Sequence, residues 1–153
     1  MSNRSIVITG ASDGIGKALA WEMASRGYSL GLCARRIELL ETLKSEIQAK
    51  HPAITVCVQV MDVNDYNDQA SGLAALHQHL GKIDILVVNA GIAIAGKVGI
   101  MPLEDQLSVI NTNLNGAIAT ISSGLKIFRE QGHGHLVATS SIAAFRGLSR
   151  NAA

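Results

Sequence analysis

Thr9-Gly10-Ala11-Ser12-Asp13-Gly14-Ile15-Gly16 decides how this chain is read. The apolar run Ile6-Val7-Ile8 precedes it, and Ile15, Ala18, Leu19 and Met23 follow it at helical spacing. A strand, a glycine turn and a helix in that order are what a bound diphosphate needs. The turn is tight, so Gly10 has no Cβ to clash. The backbone must approach phosphate, so Gly14 is small. The helix must lie close to its strand, so Gly16 is small. The first helical amides then point at the anion, and the helix dipole favours it. Taken alone, the octapeptide is also compatible with a glycine-rich turn that holds no ligand.

Outward from this turn, strand-like and helix-like patterns alternate. Ile6 to Thr9 is predicted as the first strand and Ile15 to Arg26 as the first helix, which Gly27 ends. Ser29 to Ala34 is the second strand, and Leu39, Leu40, Leu43 and Ile47 mark one face of the next helix. Pro52 breaks that pattern, and the β-branched stretch Ile54 to Val60 is the third strand. A weaker helix, Tyr66 to Leu80, leads to a fourth strand, Ile83 to Val88, apolar except for Asp84. Pro102 opens the longest helix, with Glu104 and Asp105 where the dipole favours acids. Ile110, Leu114, Ala117, Ile118, Ile121, Leu125 and Phe128 are predicted to share its apolar side, and Leu136 to Thr139 is the fifth strand. Repeated strand–helix units imply an α/β fold, a doubly wound parallel sheet of Rossmann type, with residues 1–153 as a single domain.

Composition agrees with that class. The 153 residues are 48% hydrophobic and 16% charged, but only 3% aromatic, so Val, Ile, Leu and Ala must fill the core between helices and sheet. The formal net charge is +1 and no basic run exceeds Arg35-Arg36, which argues against nucleic acid as a partner. No apolar run approaches a membrane span. Met1-Ser2-Asn3-Arg4 leads straight into the first strand, and the expectation is a cytoplasmic protein. Cys33 and Cys57 both fall in strand-like runs and read as buried, reduced thiols. His77 and His79 diverge on a helix and make a poor metal pair, so no metal site is expected.

The octapeptide has the spacing T-G-x-x-x-G-x-G and resembles that of the short-chain dehydrogenases/reductases. Further stretches fit that family in order. Ala34-Arg35-Arg36 follows the second strand, where a carboxylate would bind the ribose 2′-hydroxyl of NAD. Arginines there pair instead with a 2′-phosphate, so the resemblance implies NADP(H) as cofactor. Asp13, just before Gly14, departs from this, because many NADP-preferring relatives carry a basic residue at that position. Arg35 and Arg36 also read, more plainly, as a solvated helix start. Asp62-Val63 matches the position whose Asp holds the adenine amine, and Asn89-Ala90-Gly91 the position whose Asn ties strands together beside the cofactor.

Asn111-Thr112-Asn113-Leu114-Asn115-Gly116 lies inside the long helix, where three asparagines and a glycine are costly by propensity. A local rule broken inside a good element often marks function. Asn113 to Gly116 matches the family's N-x-x-G, whose Asn holds a water in a proton relay; Asn111 is a near miss. Counting from Gly134, Ser141 matches the serine that hydrogen-bonds the substrate oxygen. The resemblance thus implies cofactor contacts at Gly10, Ser12, Asp13, Gly14, Ile15, Gly16, Arg35, Arg36, Asp62, Val63, Asn89, Ala90 and Gly91, and catalytic roles for Asn113 and Ser141.

The family's chemistry also uses a Tyr with a Lys four residues later, the cation lowering the phenol's pKa. Only Tyr28 and Tyr66 occur, followed at that spacing by Leu32 and Ala70. The resemblance implies a sheet in the strand order 3-2-1-4-5, incomplete at its C-terminal side, and the expectation is that residues 1–153 are the first part of such an enzyme, ending just before its Tyr, and inactive alone. The implied activity is hydride transfer between nicotinamide and a carbonyl or secondary alcohol of a small molecule, by an enzyme that pairs with itself when full length. A non-catalytic dinucleotide sensor or partner subunit remains the alternative.

Overall fold

The computed structural model describes residues 4–97 and 99–147. Strands β1 (Ser5–Thr9), β2 (Ser29–Ala34), β3 (Val56–Val60), β4 (Ile85–Val88) and β5 (His135–Ala138) form one parallel sheet in the order β3-β2-β1-β4-β5. Helices α1 (Gly14–Ser25) and α2 (Ile37–Lys50) cover one face; α3 (Tyr66–Leu80) and α5 (Gly116–Gln131) cover the other, with α4 (Leu103–Ile110) running into α5. Alternation along β1 divides the core. Ile6 and Ile8 pack with Leu30, Leu32, Leu40, Leu43 and Ile47 on the first face, and Val7 packs with Leu73, Leu76, Leu86 and Phe128 on the second. The sheet order reverses between β2-β1 and β4, which opens a crevice at the carboxyl ends of β1 and β4.

β1 and β5 begin one residue earlier than predicted, at Ser5 and His135, whereas β3 and β4 begin two residues later. Ile54 donates to the His51 carbonyl in a turn, so β3 starts at Val56. Before β4, the side-chain amide of Gln131 accepts from the Ile83 N–H at 3.2 Å and donates to its carbonyl at 2.6 Å. Asp84 turns its carboxylate onto the Ser5 N–H at 2.8 Å and onto Lys82. Burial alone would raise the Asp84 pKa, but the Ser5 amide and the Lys82 ammonium outweigh it and hold the group below its usual 3.8.

The predicted faces of two helices hold in part: Leu19 and Met23 of α1, and Ala117, Ile121 and Phe128 of α5, pack against the core, but the deepest stripes lie elsewhere. In α1 the fully buried residues are Gly16, Ala20 and Ala24, while Ile15 and Ala18 face outward. In α5 they are Gly116, Thr120, Gly124, Ile127 and Phe128, while Ile110, Leu114, Ile118 and Leu125 stay exposed. Each inner stripe repeats small residues every four positions, which lets the helix backbone approach the sheet closely. At Gly124 a Cβ would collide with Leu86 Cδ2, and at Gly116 it would stand 2.9 Å from Val63 Cγ2. Thr120 donates its hydroxyl back to the Gly116 carbonyl at 2.8 Å, and buried Gln69 donates to the same carbonyl at 3.0 Å and to Thr120 at 2.7 Å.

A second correction concerns helix continuity. The asparagine cluster is neither regular helix nor break: Asn111–Asn115 forms a π-helical turn joining α4 to α5, with Gly116 N–H bonding the Asn111 carbonyl. The wider ladder accommodates one extra residue and releases a carbonyl from ordinary helical pairing. Asn115 donates to Asn111 Oδ1 at 2.9 Å across the turn.

Helix propensity alone favours alanine over glycine at position 124 by about 1 kcal/mol. The contact with Leu86 reverses that sign, so Gly124→Ala should destabilise the protein by about 1–3 kcal/mol in urea unfolding. The double variant Gly124→Ala/Leu86→Ala should lose less than the sum of the two single changes. Additive losses would show that the close approach does not constrain this face.

Candidate active site: a dinucleotide cavity at the carboxyl edge

The turn after β1 is fixed by its contacts with the end of β4. Gly10 has φ +67°, and a Cβ there would stand 2.8 Å from Ala90 Cα. At Gly16 a Cβ would collide with the Gly10 carbonyl and stand 2.8 Å from Asn89 Nδ2. Gly14 differs: it has φ +55° with no atom within 4 Å of its missing Cβ, so its open side faces free space. Lys17 N–H bonds the Asp13 carbonyl, and the Gly14 N–H is taken by Asp13 Oδ1 at 2.7 Å. The Ile15 and Gly16 amides lie before the first helical bond and have no acceptor among the described residues.

Asn89 holds the frame. Its Nδ2 donates to the Thr9 carbonyl at 3.0 Å and the Gly10 carbonyl at 3.4 Å, and its Oδ1 accepts from Thr139 Oγ1 at 3.1 Å. Thr9 Oγ1 in turn accepts from the Asn89 and Ala90 amides at 2.9 and 3.0 Å. One side chain thus links the ends of β1 and β4 to the residue after β5.

Around this frame lies a cavity of about 510 Å³, large enough for much of a dinucleotide. Gly10, Ser12, Asp13, Gly14 and Ile15 form one wall. Arg35 and Arg36 stand at the end of β2, Asp62 and Val63 at the end of β3, and Asn89, Ala90 and Gly91 at the end of β4. Gly16 sits behind the wall and shapes it through packing. Arg36 Nη2 donates to Ser12 Oγ at 3.2 Å, and Arg35 has no ion-pair partner among the described residues. Asp62 Oδ1 accepts from the Asn64 amide and side chain, both at 3.0 Å. The buried Val63 supplies a small apolar floor patch under the helix at Gly116.

Cys33 also lines this floor, where burial pushes its thiol from the usual 9.0 up to about 12. It is a structural thiol and not a nucleophile.

Asn113 and Ser141 lie outside the cavity lining. Asn113 spends both ends of its side-chain amide on one residue of the loop after β4, accepting from Ile92 N–H and donating to Ile92 O, each at 2.8 Å. Its side chain therefore clamps that loop to the π-helical turn. Ser141 is exposed, and its Oγ accepts from the Ala143 N–H at 3.2 Å at the start of a short 3-10 turn, Ile142–Ala144. Thr139, Asn64, Ile92 and Thr112 also line the cavity, though no motif in the sequence marks them. Thr139 was accessible in principle, since aligning the ends of β4 and β5 sets it beside Asn89.

The match to the family model described as short chain dehydrogenase covers residues 4–153. The chain belongs to the short-chain dehydrogenase family. Curated relatives include an uncharacterized oxidoreductase of Mycobacterium tuberculosis, 38% identical over 97% of this chain and 58% of its own length. Another is the NADP-dependent 3-hydroxy acid dehydrogenase of Schizosaccharomyces pombe, 33% identical over 94% of this chain and 56% of its own. Among solved structures, levodione reductase superposes with TM-score 0.92 at 31% identity, covering 99% of this chain and 59% of that one. Actinorhodin polyketide ketoreductase with NADPH superposes at 0.91 and 28% identity, covering 98% and 57%. NAD+-bound xylitol dehydrogenase superposes at 0.92 and 27% identity, covering 99% and 58%. The chain thus spans a little under three-fifths of the length of these short-chain dehydrogenases, and neighbours of both cofactor types share its fold. No helix among the described residues is long and apolar enough to cross a membrane, and no metal-binding cluster occurs among them.

Two outcomes follow from the cavity floor and frame. Above pH 9 the unfolded chain ionises its Cys33 thiol while the folded chain does not, so stability should fall as pH rises, by up to about 1.4 kcal/mol per unit. Cys33→Ala should remove that increment in parallel unfolding curves at pH 8 and pH 10; identical pH dependence in both proteins would show the thiol is not desolvated. Asn89→Ala should lower stability by about 1–3 kcal/mol, because the part-buried Thr9 and Gly10 carbonyls lose their partner. Native-like stability in denaturant would contradict the role given to Asn89.

Proposed function

We propose that the chain is the nucleotide-binding part of an NADP-dependent oxidoreductase acting on a small carbonyl compound or secondary alcohol. When bound, the nicotinamide would supply or accept the hydride, while a proton joins or leaves the substrate oxygen. The observation that carries the reading is Arg35, exposed on the cavity lining, with no ion-pair partner among the described residues and no acid following Ala34 in the chain before Glu38. A guanidinium there favours a 2′-phosphate through charge-assisted hydrogen bonds.

The rest of the wall fits such a ligand. The open side of Gly14 and the free Ile15 and Gly16 amides suit a diphosphate. Asp62 has a second carboxylate oxygen available to accept from the adenine amine. Asn89, Ala90 and Gly91 would flank the nicotinamide half, Asn113 would hold a water through its backbone, and Ser141 would donate its hydroxyl to the substrate oxygen. The S. pombe relative's NADP dependence supports the cofactor choice.

Self-association suits the exposed stripe Leu103, Leu107, Ile110, Leu114, Ile118 and Leu125, which repeats at helical spacing along α4 and α5. The charge balance suits a small-molecule partner better than nucleic acid, and we place the enzyme in the cytoplasm.

In equilibrium binding the protein should hold NADPH more tightly than NADH by about 1.5–3 kcal/mol, and Arg35→Asp should reverse the order. Equal affinities in the unsubstituted protein would remove the case for NADP. In the full-length enzyme, Ser141→Ala should collapse turnover with NADPH affinity almost unchanged. Turnover near that of the unsubstituted enzyme would exclude Ser141 from the chemistry.

A further inference from the structure

We infer that Asp13 is an internal anion that competes with the cofactor's 2′-phosphate for Arg36, and so limits how strongly the protein prefers phosphorylated nucleotides. The inference rests on the NADP reading, but its contacts are independent of it. Asp13 Oδ1 accepts from the Gly14 N–H at 2.7 Å, while Oδ2 stands 3.9 Å from Arg36 Nη2. The same Nη2 donates to Ser12 Oγ at 3.2 Å. All these residues line the cavity. The carboxylate therefore makes the two kinds of contact a phosphate oxygen would seek there, one with a helix-start amide and one with a guanidinium.

The consequence is a division of labour between neighbouring arginines. Arg36 is held across the glycine turn by Ser12 and partly neutralised by Asp13. Arg35 has no such partner among the described residues. Both members of the Asp13–Arg36 pair are mostly exposed, at 78% and 58%, so water and salt screen it and an incoming dianion can displace it. Displacement still costs part of the gain from the new contact, and the Asp13 charge then faces the phosphate it has released Arg36 to meet. Arg36 thus contributes less to discrimination than its position suggests, and Asp13 sets by how much.

Asp13→Asn isolates the charge, because asparagine keeps the oxygen that accepts from Gly14. The probes are adenosine 2′,5′-bisphosphate and AMP, which differ only in the 2′-phosphate, measured by titration calorimetry at constant ionic strength. Asp13→Asn should tighten the bisphosphate about three- to ten-fold and AMP less than two-fold. In an Arg36→Gln background the same substitution should give a clearly smaller gain, since the competed-for cation is gone. Unchanged or weaker bisphosphate binding, an equal gain for both probes, or an undiminished gain without Arg36 would each overturn the inference. If the unsubstituted protein binds both probes equally while Asp13→Asn separates them, the NADP reading fails and the competition stands.

Discussion

The cavity depends on how closely the turn after β1 approaches the end of β4. Gly10 and Gly16 permit the approach, because a side chain at either position would collide with backbone or with Asn89. Asn89 then fixes it, placing one amide between the Thr9 and Gly10 carbonyls and the Thr139 hydroxyl. The Thr9 and Gly10 carbonyls are partly removed from water, so leaving their bonds unmade would leave polar groups uncompensated, while the exposed Thr139 hydroxyl can turn to solvent. The same contact that closes the sheet edge therefore sets the opening angle of the helix start, and with it the direction of the free Ile15 and Gly16 amides.

Close approach is also the principle on the opposite face. Gly116, Thr120 and Gly124 bring α5 against β4 and the loop after β3. The π-helical turn at Asn111–Asn115 adjusts the phase of the helix where it passes the cavity, and Asn113 ties that turn to the Ile92 backbone. The asparagines that weaken the helix locally thus connect it to the loop beside the site.

Much of this was legible in the sequence, and the parts that were not share a cause. The glycine turn and the alternation of strands and helices follow from local chemistry, whereas the sheet order and the residues past the ends of β2 to β4 came through the family resemblance, because neither lateral strand order nor convergence on one edge is written in a local pattern. The faces of α1 and α5 were legible only in part, at Leu19, Met23, Ala117, Ile121 and Phe128, because large apolar residues define a hydrophobic stripe, whereas the innermost positions here are Gly16, Ala20 and Ala24 and Gly116, Thr120 and Gly124. A second stripe of large side chains on the outer face competes for the same reading. Thr139, Asn64 and Ile92 escaped notice because their roles arise from partners 50, 48 or 21 residues away in sequence. The start of β4 shifted where the Gln131 side chain took both main-chain groups of Ile83, which no propensity encodes.

The central claim is that the carboxyl-edge cavity is a nucleotide site organised by the helix-start amides. It is tested most directly by following backbone amide resonances of the ¹⁵N-labelled protein during titration with NADPH. The account expects the largest shifts at Ser12, Gly14, Ile15 and Gly16, with further shifts at Arg35, Asp62 and Gly91, and little change at Ser5, Lys82 or Asp84 at the other end of the sheet. Shifts gathered at that other end, or none at saturating nucleotide, would contradict it.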